Sequence, residues 1–238
     1  MRSRYVLVPA VVVMAVMAGS AGPAPSGAIE GNITYSGALP KMKPIDMSKE
    51  PACAKEHTSP MLTQTAVGGP ANALQYVVVY VSAGEPRSPI PSEPARFDQK
   101  GCTYVPHVLA MQAGQILQIY NDDPLSHNIH PRPHMNPEWN KSQQKGSMPI
   151  NTSWDKPEFI EVKCDIHAWM HSYFAVLNTS HYSVSDDNGN FSLKGLPPGK
   201  YTITAWHEQY GSQNQEVVVD GTETRNINFV FKATASPY

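Results

Sequence analysis

No stretch of this chain sustains the 3.6-residue apolar repeat that a major amphipathic helix requires. Short runs rich in β-branched and aromatic residues recur instead, each closed by Gly, Pro, Asn or Asp. Residues 28–35 (AIEGNITY) alternate Ile29, Ile33 and Tyr35 before the turn residues Ser36, Gly37 and Pro40, and residues 75–81 (QYVVVYV) read as a buried strand. Further strands are predicted around 103–111, 115–120 and 158–164, with a polar stretch at 131–156 and a Pro- and Ser-rich boundary at 84–94. From Tyr182 onward the texture is regular. Asp187-Asn188-Gly189 and Pro197-Pro198-Gly199 mark turns, Tyr201, Ile203 and Ala205 share one strand face, and Val217, Val219, Ile227, Phe229 and Phe231 mark two more strands. The expected class is all-β, built as two β-sandwich-like units.

Composition narrows the function classes. Pro (22) and Gly (16) are spread over 238 residues without a strict repeat, which suits a loop-rich β protein and excludes collagen. The formal charge is −2, and −4 once Arg2 and Arg4 are set aside, so no electrostatic footprint for nucleic acid or anionic lipid is present. Arg2 and Arg4 precede the apolar run 5–18, and the small residues 19–22 follow it, in the order of a secretory signal. We expect a signal peptide over 1–21 cleaved near Ala21, a periplasmic or secreted protein, and no membrane span after cleavage. The run contains Pro9 and falls short of the roughly 20 apolar residues that cross a bilayer; an uncleaved anchor is the alternative.

An exported chain meets oxidising conditions, so three cysteines invite one disulfide and leave one thiol over. The chemistry-bearing segment is 164–170 (CDIHAWM), which places a thiolate, an imidazole and a thioether within seven residues. A second cluster, 123–130 (DPLSHNIH), ends an earlier strand. Two histidines, one thiolate and a weak axial thioether form the donor set of a blue-copper site, whereas zinc would be poorly held by a methionine as its fourth ligand. Bound copper would deprotonate Cys164 and occupy its sulfur, leaving Cys53 and Cys102 for each other. The alternative is a disulfide that includes Cys164, with no metal.

These residues resemble the cupredoxins. Cys164-x-x-His167-x-x-Met170, with His127-Asn128 upstream, is similar to the short ligand loop of the amicyanin and plastocyanin-like proteins, over about residues 98–177. The resemblance implies one type 1 copper ion held by His127, Cys164, His167 and Met170. It also implies that Asn128 ties the two ligand loops together beside the thiolate, and that the exposed edge of His167 is the electron port. Trp169, before the axial position, could shield copper, line a docking patch or belong to the core. His171 is a register rival to Met170, because adjacent residues of an extended segment face opposite sides. His130 reads as a polar rim, with a second copper-loading group of His130, His134 and Met135 as the alternative. His57, His107, His181 and His207 have no partner at metal-ligand spacing and read as surface or structural residues.

Residues 183–232 are similar to the later strands of a carboxypeptidase regulatory-like domain, a small transthyretin-like sandwich, through the patterns D-x-x-G-x-F and L-P-P-G-x-Y-x-I-x-A. That family begins with strands like 29–34 and 76–81, which here lie ahead of the copper segment. The expected organisation is therefore early strands in 28–82 joined to 182–232 as one sandwich, with a cupredoxin-like Greek-key sandwich over 83–177 inserted between them. Two consecutive domains form the competing layout. The function these readings imply is electron carriage between a redox donor and acceptor, without catalysis. The alternatives are copper storage or delivery, or an envelope β-sandwich module that binds without a redox role.

Overall fold

The structure is a computed structural model, and it describes residues 26–85 and 88–233. The predicted signal peptide lies outside the described residues; among those described, no helix is long and apolar enough to cross a membrane. The order begins β1 (Gly27–Gly37), α1 (Pro51–Lys55), β2 (Val78–Ala83), β3 (Ala95–Gln99), β4 (Tyr104–Val105) and β5 (Val108–Gln112). It continues β6 (Leu117–Asn121), β7 (His127–Arg132), β8 (Lys141–Gln143), β9 (Ile150–Thr152), β10 (Glu158–Lys163) and β11 (His171–Leu177). The last strands are β12 (Tyr182–Val184), β13 (Asn190–Leu196), β14 (Gly199–His207), β15 (Gly211–Val219), β16 (Thr224–Asn226) and β17 (Phe229–Ala233). The class is all-β, and the polar stretch 131–156 contributes the two short strands β8 and β9.

Four sheets make two sandwiches. One holds the sheets β5-β11-β10-β7-β8 and β4-β3-β6-β9. Between them lie Phe97, Met111, Leu117, Ile119, Ile129, Trp154, Ile160, Val162 and Phe174. The other holds β12-β2-β14-β15 against β13-β1-β16, with β17 also on β1. β1 pairs antiparallel with β13 and parallel with β16 and β17, and β2 pairs antiparallel with β12 and β14. The two earliest strands therefore complete the sheets of the latest ones, and β3–β11 are threaded between them in the chain.

Period-2 alternation explains how β2 serves two cores. Val77, Val79 and Val81 point into the β1–β17 sandwich. Val78 and Tyr80 point the other way, against Val108, Ala175, Leu177 and Tyr173. Phe159 stacks on Trp206 at this boundary, with ring centroids 4.0 Å apart and planes at 18°. The apolar run 76–81 thus feeds a strand that begins at Val78, later than the sequence implies because Tyr76 is left-handed, and that is buried on both faces over Val78–Val81.

The hairpin into β13 needs its glycine. Gly189 has φ +76°, a left-handed conformation, and a Cβ there would stand 2.2 Å from the Ile33 carbonyl oxygen. Asp186 Oδ1 accepts from the N–H groups of Asn188 and Asn190 at 2.9 and 2.8 Å, which holds the turn closed.

Candidate metal centre

Two adjacent strand ends build the centre. β10 and β11 form an antiparallel pair with Lys163 opposite His171, so residues 164–170 are the loop that closes their hairpin. β7 pairs with β10 on the other side, which brings His127, at its first residue, to the same end of the sandwich. Within the loop, Cys164 N–H donates to the Met170 carbonyl at 3.2 Å and Met170 N–H to the His167 carbonyl at 2.9 Å. This tight turn folds the thiol and the imidazole of His167 toward one another.

One ligand atom each from His127, Cys164 and His167 lies within 4.8 Å of the others. His127 Nδ1 and His167 Nδ1 are 2.8 Å apart, and Cys164 Sγ is 3.9 Å from His167 Nδ1. All three side chains are buried, as is Met170 at 2% exposure in the same apolar cluster. His171, the rival for the axial position, joins a different group: its ring packs edge-on against His107 and its Nδ1 lies 3.2 Å from the Trp169 carbonyl.

The surrounding hydrogen bonds hold the donors ready. Asn128 Oδ1 accepts from Asp165 N–H at 2.7 Å, from Ile166 N–H at 3.3 Å and from the Cys164 thiol at 3.2 Å, so one amide ties β7 to the ligand loop. His167 N–H points at Cys164 Sγ from 3.4 Å. Burial pushes the Cys164 thiol up, but His127 and the backbone groups of Asn128, His167 and Ile166 outweigh it and hold the thiol below its usual range. Burial likewise opposes charge on His127. Its contact with Asp123, 2.8 Å from Nε2, and the neighbouring Cys164 prevail and raise its affinity for a proton. His167 is held below the ordinary histidine range by burial and by the charge on His127.

Asp123 is buried too. Burial pushes its carboxyl up, yet His127 and the N–H groups of Cys102 and Gly101, at 2.7 and 2.6 Å, keep it low. His127 donates from Nε2 to Asp123, His127 Nδ1 and His167 Nδ1 share one proton between them, and the Cys164 thiol donates to Asn128 Oδ1.

The expected port at His167 is overturned. His167 is 2% exposed, and its Nε2 faces Cys53 Sγ at 3.7 Å. Cys53 sits on α1 and is joined to Cys102 in a disulfide, which pins the segment between β1 and β2 over this end of the sandwich. Ile45, Met47 and Met61 of that segment pack against the apolar cluster that includes Cys164 and Met170. Trp169 completes the cover: its Nε1–H donates to the Cys102 carbonyl at 3.0 Å, and its ring centroid is 5.2 Å from that of His167. The edge that a short ligand loop leaves bare is covered here by residues more than a hundred positions upstream, a long-range contact with no local signature in the sequence.

The rim residues fall where their spacing implied. His130 is bracketed by Glu138 at 2.8 Å and Asp165 at 3.2 Å. The backbone of 134–136 is gripped by the Glu158 carboxylate, and Met135 is exposed. His57 Nε2 meets the Gly101 carbonyl, and His181 pairs with Glu85. His107 departs from expectation, since it stands beside His171 and Glu208. Their separations of 64 and 37 residues carry no motif, so pattern reading passed over the group.

Residues 175–232 match the family model of the carboxypeptidase regulatory-like domain. The match takes in β12–β17 but not β1 and β2, which pair with those strands from far upstream. No curated protein sequence matches the chain. Among solved structures, a purple cupredoxin from Nitrosopumilus maritimus is similar at 18% identity and TM-score 0.31, over 35% of this chain and 99% of that one. An oxidised amicyanin variant is similar at 12% identity and TM-score 0.33, over 42% of this chain and 98% of that one. A copper-containing nitrite reductase from Thermus scotoductus SA-01 is similar at 19% identity and TM-score 0.33, over 48% of this chain and a quarter of that enzyme.

Proposed function

We propose that the protein is an exported type 1 copper protein that carries single electrons between a redox donor and acceptor, with His127, Cys164 and His167 as the firm ligands and Met170 as the weak axial one. The observation that carries this reading is the buried meeting of two imidazole nitrogens and one sulfur at the end of a sandwich, with Asn128 bonded to that sulfur and to the loop behind it. The donor set fits copper: two imidazoles and a single cysteine sulfur match its preference, and the carboxylate of Asp123 lies on the far nitrogen of His127. Copper bound there would supply one-electron chemistry by alternating between Cu(II) and Cu(I).

The chain's own residues keep rearrangement small. Asn128 holds the sulfur, Asp123 fixes the ring of His127 through Nε2, and the loop hydrogen bonds fix His167, so the donors are positioned before any ion arrives. The protons to be displaced on copper binding are the one that the Cys164 thiol gives to Asn128 Oδ1 and the one shared between His127 Nδ1 and His167 Nδ1. Burial of all four side chains favours retention over delivery of the ion, and it leaves no approach for a substrate, which supports a carrier rather than an enzyme. Electrons would pass through the cover formed by Trp169 and the Cys53–Cys102 disulfide, and docking partners would meet that cover rather than a bare imidazole edge.

The test is to add Cu(II) to the mature protein and to Cys164→Ala and to compare visible and electron paramagnetic resonance spectra. We expect an intense thiolate-to-copper band in the parent and none in the variant. A colourless, folded parent would remove the reading and leave an envelope binding module.

A further inference from the structure

We propose a second metal site, for a borderline divalent cation of the Zn(II) kind, formed by His107, His171 and Glu208 where the two sandwiches meet. One donor atom from each lies within 4.8 Å of the others. They come from three distant places in the chain: the bend before β5, the first residue of β11, and the turn between β14 and β15. The site therefore exists only because the sandwiches are docked.

Each member is poised as a ligand. Glu208 Oε1 stands 2.7 Å from His107 Nε2, and the two side chains are 4% and 1% exposed, so the carboxylate is out of water with one imidazole as its partner. His107 Nδ1 is buried without a hydrogen-bond partner, so no neighbour fixes which of its nitrogens carries the proton and Nε2 can present its lone pair. His171 is half-buried, and its Nδ1 is 3.2 Å from the Trp169 carbonyl. Donation from Nδ1 to that carbonyl leaves the lone pair on Nε2, the tautomer control usual for metal-binding histidines.

The donor types select the ion. Two imidazoles and a carboxylate are a three-ligand zinc set whose fourth position is left to water, and the absence of sulfur among them separates this group from the thiolate centre. Spacing allows it: nitrogen and oxygen ligands about 2.0–2.2 Å from a tetrahedral ion stand about 3.3–3.6 Å apart. The 2.7 Å contact must then open by somewhat less than about 1 Å. A simple His107–Glu208 ion pair clamping the sandwiches is the competing account, and it requires nothing of His171.

The proposal is tested without relying on the copper reading. Zn(II) is titrated into the full chain bearing Cys164→Ala, and then into Cys164→Ala combined with Glu208→Gln or with His171→Ala, and bound metal is read by equilibrium dialysis and elemental analysis. Glu208→Gln keeps a hydrogen-bonding partner for His107, and His171→Ala leaves the ion pair intact. We expect one Zn(II) per Cys164→Ala chain. Either added change should weaken it by at least roughly 10- to 100-fold, the range seen even for groups that only support a ligand. Should Glu208→Gln fail to fold, His171→Ala carries the result. The proposal is overturned if Cys164→Ala binds no Zn(II), or if the added His171→Ala change leaves its affinity unchanged.

Discussion

The two sandwiches are made of the same strands and turns, yet they bury different things. The interior between β1–β2 and β12–β17 is almost purely apolar, with Ser185 and His207 among its few buried polar side chains. The sandwich of β3–β11 buries a run of amides and titratable groups at one end, including Gln99, Asn121, Asp123, His127, Asn128 and Gln143. These are cross-bonded: Gln99 Nε2 donates to Gln143 Oε1 at 2.8 Å, and Asn121 Nδ2 donates to the carbonyls of Gln143 and Leu125 at 2.9 and 2.8 Å. Buried polar groups are costly unless paired, so a network like this gives up stability for a fixed geometry. One sandwich has an apolar interior throughout; the other gathers buried polar groups at the end that carries the candidate site.

The sharpest way to break this contrast is a cavity in the scaffold. Phe229→Ala, in the apolar interior, should cost about 3–5 kcal/mol by urea denaturation. It should leave the visible spectrum of the copper-loaded folded protein unchanged. A shifted band would show that the two interiors are not separable.

Removing the cover comes next. Cys53→Ser with Cys102→Ser should cost about 2–5 kcal/mol and uncover His167, which is read as faster carbethoxylation of that ring by peptide mass mapping. Unchanged reactivity would mean that Trp169 and the segment around α1 shield the imidazole without the covalent tie.

A third measurement uses His207, buried in the scaffold. Burial, with a smaller contribution from His107, pushes His207 down to about 4. An unfolded chain takes up a proton on this ring near pH 6.5, and the folded chain does so only near pH 4. Between those values the unfolded state binds more protons, so stability is full above the upper one and falls as the solution is acidified. The decline should approach about 3 kcal/mol. Urea midpoints of the parent and of His207→Gln at pH 7 and pH 4.5 isolate it, and equal pH dependence in the two proteins would discard it.

The smallest expected effect is at the site. Asp123→Asn should weaken copper binding about 10- to 100-fold in a chelator competition, because His127 loses its charged anchor while every ligand remains.

How much of this could be read from residues alone varies with range. The strands of the scaffold were legible because one-sided burial imposes alternation: Tyr201, Ile203 and Ala205 all face one core. The meeting of Cys164 and His167 was legible because they lie within one hairpin turn, where spacing limits which side chains can converge. The cover over His167 was not, because the chain between β1 and β2 carries no periodic signal for where it docks. Asp123 lay inside the segment that drew attention, yet nothing local says that its carboxylate turns to His127 and to the N–H groups of Gly101 and Cys102.

The amino-acid order by itself determined the all-β class, the turns and the donor chemistry available, since each follows from neighbours a few residues apart. Only the tertiary structure decided between an inserted and a consecutive layout, that a disulfide covers His167, and that His107, His171 and Glu208 meet. Those outcomes depend on contacts between segments separated by dozens to nearly two hundred residues, where burial of apolar surface, which has no direction along the chain, chooses the partners.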